Sequence, residues 1–134
     1  MELTKSELEV MNVLWAAERP LSRNEILSLA VDKSWKDSSI HILLNGLLKK
    51  GAIVEAGFVK CVKTYGRQYA ANISCAEYYT ETVFAQSGKS VLPVLFSALL
   101  DSEDMTPDMV DKLEEILQRR KAEFANKAGN NGNT

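Results

Sequence analysis

Six cationic side chains, Lys36, Lys49, Lys50, Lys60, Lys63 and Arg67, fall between residues 36 and 69 with only Asp37 and Glu55 to offset them. This is a local charge of +4 in a chain whose formal net charge is −2. Residues 1–73 sum to +2 and residues 74–134 to −4, so the acidity belongs to the second half. A basic patch on one module beside an acidic remainder is the distribution expected of a protein that holds a polyanion. Inside the patch, Ser38, Ile42, Asn45 and Lys49 recur at spacings of three and four, which places them on one face of a helix. In a DNA major groove, Asn can pair with adenine, a hydroxyl can donate or accept, and an aliphatic group can touch a thymine methyl. Ser39 and His41 flank that row, and Lys36 precedes it. The candidate DNA-contacting set is therefore Lys36, Ser38, Ser39, His41, Ile42, Asn45 and Lys49, with Lys60, Lys63 and Arg67 further along. The same row also suits the solvated face of an ordinary amphipathic helix, so the neighbouring elements must decide.

Other chemistries find little support. His41 is the only histidine, and no spacing suggests a base with an orienting carboxylate and a nucleophile, so no catalytic residues and no enzyme are expected. Cys61 and Cys75 lie fourteen apart without a C-x-x-C, which suggests neither a disulfide framework nor a zinc site, and no metal or other cofactor is expected. The longest apolar run, Val91 to Leu100, is interrupted by Pro93 and Ser97 and is about half of the ~20 residues a membrane helix needs. Met1-Glu2-Leu3-Thr4 leads directly into a charged amphipathic segment with no signal peptide. A cytoplasmic protein with reduced thiols and no membrane partner is the expectation.

A composition of 46% hydrophobic and 25% charged residues over 134 positions allows one domain, or a small domain plus an appendage. Ile40, Leu43, Leu44, Leu47 and Leu48 form an apolar stripe opposite the polar row, with Asp37 as the expected N-cap and Gly51 as the stop. Upstream, Thr4-Lys5-Ser6-Glu7 is a capping box that opens a helix to about Ala17. Pro20 breaks the chain, and Ser22-Arg23-Asn24-Glu25 is a second box opening a short helix. Trp15 and Trp35 read as packing anchors. After Gly51, Ala52–Glu55 reads as a short strand, 56–67 as a loop carrying Lys60, Lys63 and Arg67, and Gln68–Ala71 as a returning strand. Three helices followed by a basic hairpin predict a winged helix-turn-helix over residues 1–73, in which the second helix of the pair enters the groove and the wing reaches phosphates.

Residues 74–134 change character. Ser74-Cys75-Ala76-Glu77 opens a third capped helix, Val91–Leu100 makes a fourth, and Thr106-Pro107 starts a long amphipathic helix. Such short apolar helices do not easily bury their faces alone, so residues 74–126 are expected to form a helical homodimerisation module through Tyr78, Val83, Phe84, Leu92, Leu95, Phe96, Leu99, Leu113, Ile116 and Leu117. Packing of these helices on the winged helix is the alternative. Residues 127–134 are expected to form a disordered tail. The fold class expected for the whole is mainly α with a small β-hairpin.

The chain resembles the penicillinase-repressor (BlaI/MecI) family of bacterial transcriptional repressors. The likeness rests on Leu3-Thr4-x-x-Glu7 with Val10-Met11-x-Val13-Leu14-Trp15, and on Leu21-Ser22-x-x-Glu25-Ile26. It continues with Trp35 before Ser39-Ile40-x-x-Leu43-Leu44-x-x-Leu47-x-Lys49-Lys50-Gly51, and with Gly66-Arg67. It covers residues 3–86 well and the remainder loosely, through Leu113 to Leu117. The resemblance implies a winged-helix domain, a helical dimerisation domain, and a homodimer on a palindromic operator in double-stranded DNA that blocks transcription of antibiotic-resistance or related genes. It also implies induction when a sensor-activated protease cuts the dimerisation domain. Three departures stand out. Ile42 replaces a threonine and Gly46 an arginine usual in the family, so that arginine at position 46 is expected to strengthen DNA binding. No Asn-Phe bond of the kind cut in penicillinase repressors is present, and the paired C-x-C motifs of the copper-responsive branch are missing. A winged helix used only for protein interaction remains the competing reading, supported by Ile42 at the centre of an otherwise polar face.

Overall fold

The computed structural model describes residues 1–60 and 65–131, so Lys63 of the expected basic patch lies outside the described residues, as does Cys61. In chain order the elements are α1 (Lys5–Ala17), β1 (Leu21–Ser22), α2 (Arg23–Leu29), a 3-10 turn (Asp37–Ser39), α3 (Ile40–Lys50), β2 (Ile53–Lys60), β3 (Tyr65–Ala71), α4 (Cys75–Ser87), a second 3-10 turn (Lys89–Val91), α5 (Leu92–Leu100) and α6 (Pro107–Asn131). The fold class is the expected one: a mainly helical chain with one small antiparallel sheet in a winged-helix arrangement. The chain divides into two compact units, Met1–Gln86 and Ser87–Thr134.

Both capping boxes of the first unit close as their sequences require. Thr4 Oγ1 accepts from the Glu7 amide at 3.2 Å while Glu7 Oε1 accepts from the Thr4 amide at 2.9 Å. Ser22 and Glu25 exchange the equivalent bonds at 3.3 and 3.0 Å. Each pair satisfies amides that a helix start leaves without partners. The core gathers Val10, Met11 and Leu14 of α1, Leu21 of β1, Ile26 of α2, Ile40, Leu44 and Leu47 of α3, and Ile53 of β2, all buried. Each such aliphatic side chain contributes about 1.5–3 kcal/mol by leaving water, so the apolar stripe of α3 fixes which way its polar row faces.

The start of α3 differs from expectation. Asp37 does not cap it; a 3-10 turn intervenes, and the Asp37 carboxylate pairs instead with Lys33 Nζ at 2.7 Å, one helical turn back. The helix proper begins at Ile40 after Ser39, whose side chain makes no capping bond. At the far end Gly51 takes a left-handed φ of 77° and its amide reaches the Leu47 and Leu48 carbonyls, the expected stop.

The wing is also longer than expected. The segment read as a loop from 56 to 67 is largely strand, because Gly57, with φ 150°, forms a bulge rather than a turn: Glu55 faces Tyr69 and Gly57 faces Gln68, leaving Ala56 unmatched. The ladder then resumes through Lys60 opposite Tyr65. A two-residue strand, β1, completes the sheet by pairing Leu21 with Tyr69 and Ser22 with Gln68, giving the order β1-β3-β2.

The compact unit continues past residue 73. Trp15 Nε1 donates to the Ile73 carbonyl at 2.9 Å, and the Trp15 ring lies 5.9 Å from that of Tyr78, centroid to centroid. Tyr78 is buried, and Tyr79 meets it edge-on at 5.2 Å. Tyr78 of α4 therefore completes the core around α1, with Tyr79 packed at its edge.

In the second unit, Thr106 Oγ1 accepts from the Met109 amide at 3.2 Å and Pro107 occupies the first turn, where no amide donor is needed. The helix α6 runs to Asn131, through positions expected to lie in a tail. None of the buried core side chains among the described residues belongs to this unit. Instead Phe96, Leu99, Leu100, Met109, Val110, Ile116, Leu117 and Phe124 are each two-fifths or more exposed.

One contact between α1 and α3 is unusual for its charge. Glu7 is only 5% exposed, yet Lys50 Nζ donates to its Oε1 at 2.5 Å, the same oxygen that closes the capping box. Burial pushes the Glu7 carboxyl up, but the Lys50 hydrogen bond, the Thr4 amide and the Lys50 charge outweigh it, leaving the group below the ordinary 4.5. Gly46 makes room for this: a Cβ there would stand 2.8 Å from Glu7 Oε2. The glycine thus answers to close approach by α1 of the same chain, and any side chain at this position must displace the Glu7 carboxylate before it can reach toward DNA. Gly46→Ala should gain about 1 kcal/mol of helix propensity in a Glu7→Ala background and distinctly less in the wild type; urea unfolding of the four proteins checks this, and equal gains would show no coupling. Because the folded carboxyl titrates below 4.5, its contribution is complete above that pH and is lost as pH falls through the lowered value. Stability of the wild type should accordingly fall more steeply below about pH 5 than that of Glu7→Gln, measured as denaturation midpoints against pH.

Candidate nucleic-acid interface

Three sectors divide the surface of α3. One is the buried stripe of Ile40, Leu44 and Leu47. A second, Gly46 with Lys50, is occupied by Glu7 of α1. The third holds Ser38 on the preceding turn with Ile42, Asn45 and Lys49, all exposed, Ile42 to 75%. Four of the sequence-predicted residues are thus brought together on an exposed face. Lys36 is exposed just before the 3-10 turn, where its carbonyl accepts from the Ser39 amide at 2.8 Å. Ser39 is half-buried at the start of α3.

His41 occupies the flank of the free face next to α2, three residues after Ser38 and four before Asn45. Its Nε2 lies 2.6 Å from Nη1 of Arg23, the first residue of α2. A guanidinium can only donate, so in this hydrogen bond Nε2 is the acceptor. Arg23 was not among the sequence-predicted residues. In the sequence it falls between the capping residues Ser22 and Glu25, and only tertiary packing brings it against a histidine eighteen positions later.

On the wing, the described cation Arg67 is already engaged. Arg67 lies within β3, opposite Phe58, rather than in a loop, and its Nη1 pairs with Glu55 Oε1 at 2.9 Å. Both side chains are exposed, so the pair is worth little to stability and can be exchanged for a stronger anion. Lys60 ends β2. Among the described residues no group of His, Cys, Asp and Glu side chains is placed to hold a metal ion, and no helix is long and apolar enough to cross a membrane.

The sequence-predicted apolar residues of the second half separate. Tyr78 is committed to the core of the first unit, and on the same helix Val83 is half-buried and Phe84 is 40% exposed. In the second unit, Leu92, Leu95 and Leu113 are half-buried. Phe96, Leu100, Val110, Leu113, Ile116 and Leu117 line an apolar groove of about 470 Å³ between α5 and α6, with Glu114 as its one charged neighbour, and Leu99 is exposed nearby in sequence.

A helix-turn-helix with its second helix presenting a polar row, followed by a β-hairpin, defines a winged-helix protein. Residues 3–119 match the family model described as penicillinase repressor, and the chain belongs to that family of transcriptional repressors. Among curated proteins it is similar to the methicillin resistance regulatory protein MecI of Staphylococcus aureus (strain N315), 27% identical over 120 residues that cover 89% of this chain and 95% of the relative. It is also similar to the MecI of Mammaliicoccus sciuri, 26% identical over 120 residues with the same coverage. An uncharacterized 16.5 kDa protein in the ptsI 3'region of Latilactobacillus sakei is 29% identical over 126 residues, covering 90% of this chain and 82% of that protein.

The Glu55–Arg67 pair makes a direct prediction for the wing. Glu55→Ala should raise affinity for any duplex about two- to fivefold by removing an anion beside Arg67, measured by fluorescence anisotropy at fixed salt. An unchanged affinity would mean that this part of the wing faces away from DNA.

Proposed function

We propose that this protein is a cytoplasmic transcriptional repressor that binds a palindromic operator as a homodimer and controls antibiotic-resistance or related genes. The observation that carries the reading is the free sector of α3. Glu7 holds one flank and Arg23 meets the other, so Ser38, Ile42, Asn45 and Lys49 face outward together. In the groove Asn45 would pair with adenine, Ile42 would pack on a thymine methyl, Ser38 would donate or accept, and Lys49 would meet a phosphate. Ile42 in place of a hydroxyl makes the readout depend more on thymine methyls than on hydrogen bonds.

The dimer is supported by the exposed apolar side chains of α5 and α6, which leave a groove that a second copy would fill. Two linked half-sites bind far more tightly than one through effective concentration. Induction by a sensor-activated protease belongs to the same reading, and since the sequence contains no Asn-Phe bond, a protease specific for that bond should leave this chain intact. A second reading, a winged helix that binds protein instead of DNA, draws on the exposure of Ile42 and on the engagement of Arg67 by Glu55.

One selection experiment tests the reading. Duplexes selected by the full chain from a random pool should contain an inverted repeat, and Asn45→Ala should relax preference at one base pair per half-site, at about 1–3 kcal/mol of discrimination. Recovery of no consensus would favour the protein-interaction reading, and a consensus lacking the inverted repeat would remove the symmetric dimer.

A further inference from the structure

Resting on the DNA-binding reading above, we propose that Arg23 is a phosphate-contacting residue of the interface and that His41 is its positioning residue. The basic side chains of the first unit differ in what they touch. Arg19 pairs with Glu25, Lys50 with Glu7, Lys33 with Asp37 and Arg67 with Glu55. Arg23 makes no ion pair among the described residues; its partner is Nε2 of His41, a nitrogen that carries no negative charge. A neutral acceptor fixes the direction of the guanidinium without cancelling its charge, and it uses one of five N–H donors. The remaining donors form the planar fork that matches phosphate oxygens two at a time.

Placement supports the same assignment. His41 borders the free sector of α3 between Ser38 and Asn45, so the cation it holds stands at the edge of the row proposed to read bases. Both Arg23 and His41 are exposed, and neither contributes to the core, so the contact has no evident work to do in holding the unit together. The second helix of the motif thereby receives from the first a phosphate anchor that α3 itself lacks at its start, where the residues are Ser38, Ser39 and Ile40.

The test uses the full chain, a duplex carrying the selected sequence and a scrambled duplex of equal length. Variants are Arg23→Ala, His41→Ala, His41→Gln and the double Arg23→Ala/His41→Ala, each checked for an unchanged melting temperature. Arg23→Ala should weaken both duplexes by about tenfold and reduce the slope of log affinity against log salt by ~0.9 per subunit. His41→Ala should weaken binding by about threefold and leave the slope nearly unchanged, because the charge stays while its aim is lost. The His41→Gln amide oxygen can accept from Arg23 and should restore affinity, and His41→Ala should add nothing once Arg23 is gone. A salt slope unaltered by Arg23→Ala, in a wild type that prefers the selected duplex, overturns this inference and spares the DNA reading. Additive losses in the double variant overturn the positioning role of His41. A wild type that binds both duplexes alike overturns the DNA reading and this inference with it.

Discussion

A carboxylate taken out of water must be compensated several times over, and Glu7 meets that condition by joining two helices at once. Burial of an unpaired charge costs several kcal/mol. Here the charge is met by the Thr4 amide at the start of α1 and the Lys50 ammonium at the end of α3. The arrangement needs α1 close against α3, and Gly46 supplies the space. With that seam closed, the apolar stripe of α3 can point only into the core formed with α1, α2 and β2. The polar row has no remaining direction except outward.

The same logic sorts the cations. A lysine or arginine that already faces a carboxylate must exchange one anion for another when it meets DNA, and the exchange releases less free energy than neutralising a free charge. Lys50 is structural by this measure, and Arg67 is a wing residue restrained by Glu55. Lys49 and Arg23 have no such carboxylate among the described residues. Two of the six cations counted in the sequence, Lys50 and Arg67, are therefore engaged within the protein, while Arg23, which that count omits, has no carboxylate among the described residues.

Much of this was legible before any coordinates, because the relevant signals are local. Capping boxes at Thr4 and Ser22, the stop at Gly51 and the stripe of Ile40, Leu44 and Leu47 are set by neighbours within four positions, and the structure has each of them where periodicity placed it. The misreadings share a different origin. Asp37 was a good cap in one dimension but found Lys33, and the stretch read as a loop from 56 to 67 became largely strand around a bulge at Gly57, where the partner strand rather than the local sequence decided. Tyr78 showed the same periodicity as its neighbours on α4, and only the position of Trp15 shows that it belongs to the core of the first unit. Gly46 stood out only as a glycine inside a helix and Arg23 carried no local signal, as each is explained by a residue on another helix.

The central claim is that the outward row of α3 touches bases, and Ile42 is the residue through which it can be watched. It is 75% exposed, whereas Ile26, Ile40, Ile53 and Ile73 are buried and Ile116 lies in the second unit, so a spectrum of isoleucine δ-methyl groups resolves the surfaces from one another. On titration with a selected duplex the Ile42 methyl should shift strongly, the buried methyls little, and a scrambled duplex at equal concentration should not reproduce the Ile42 shift. An Ile42 methyl that stays unmoved while the protein is saturated with the selected duplex would contradict the placement of this face in the groove.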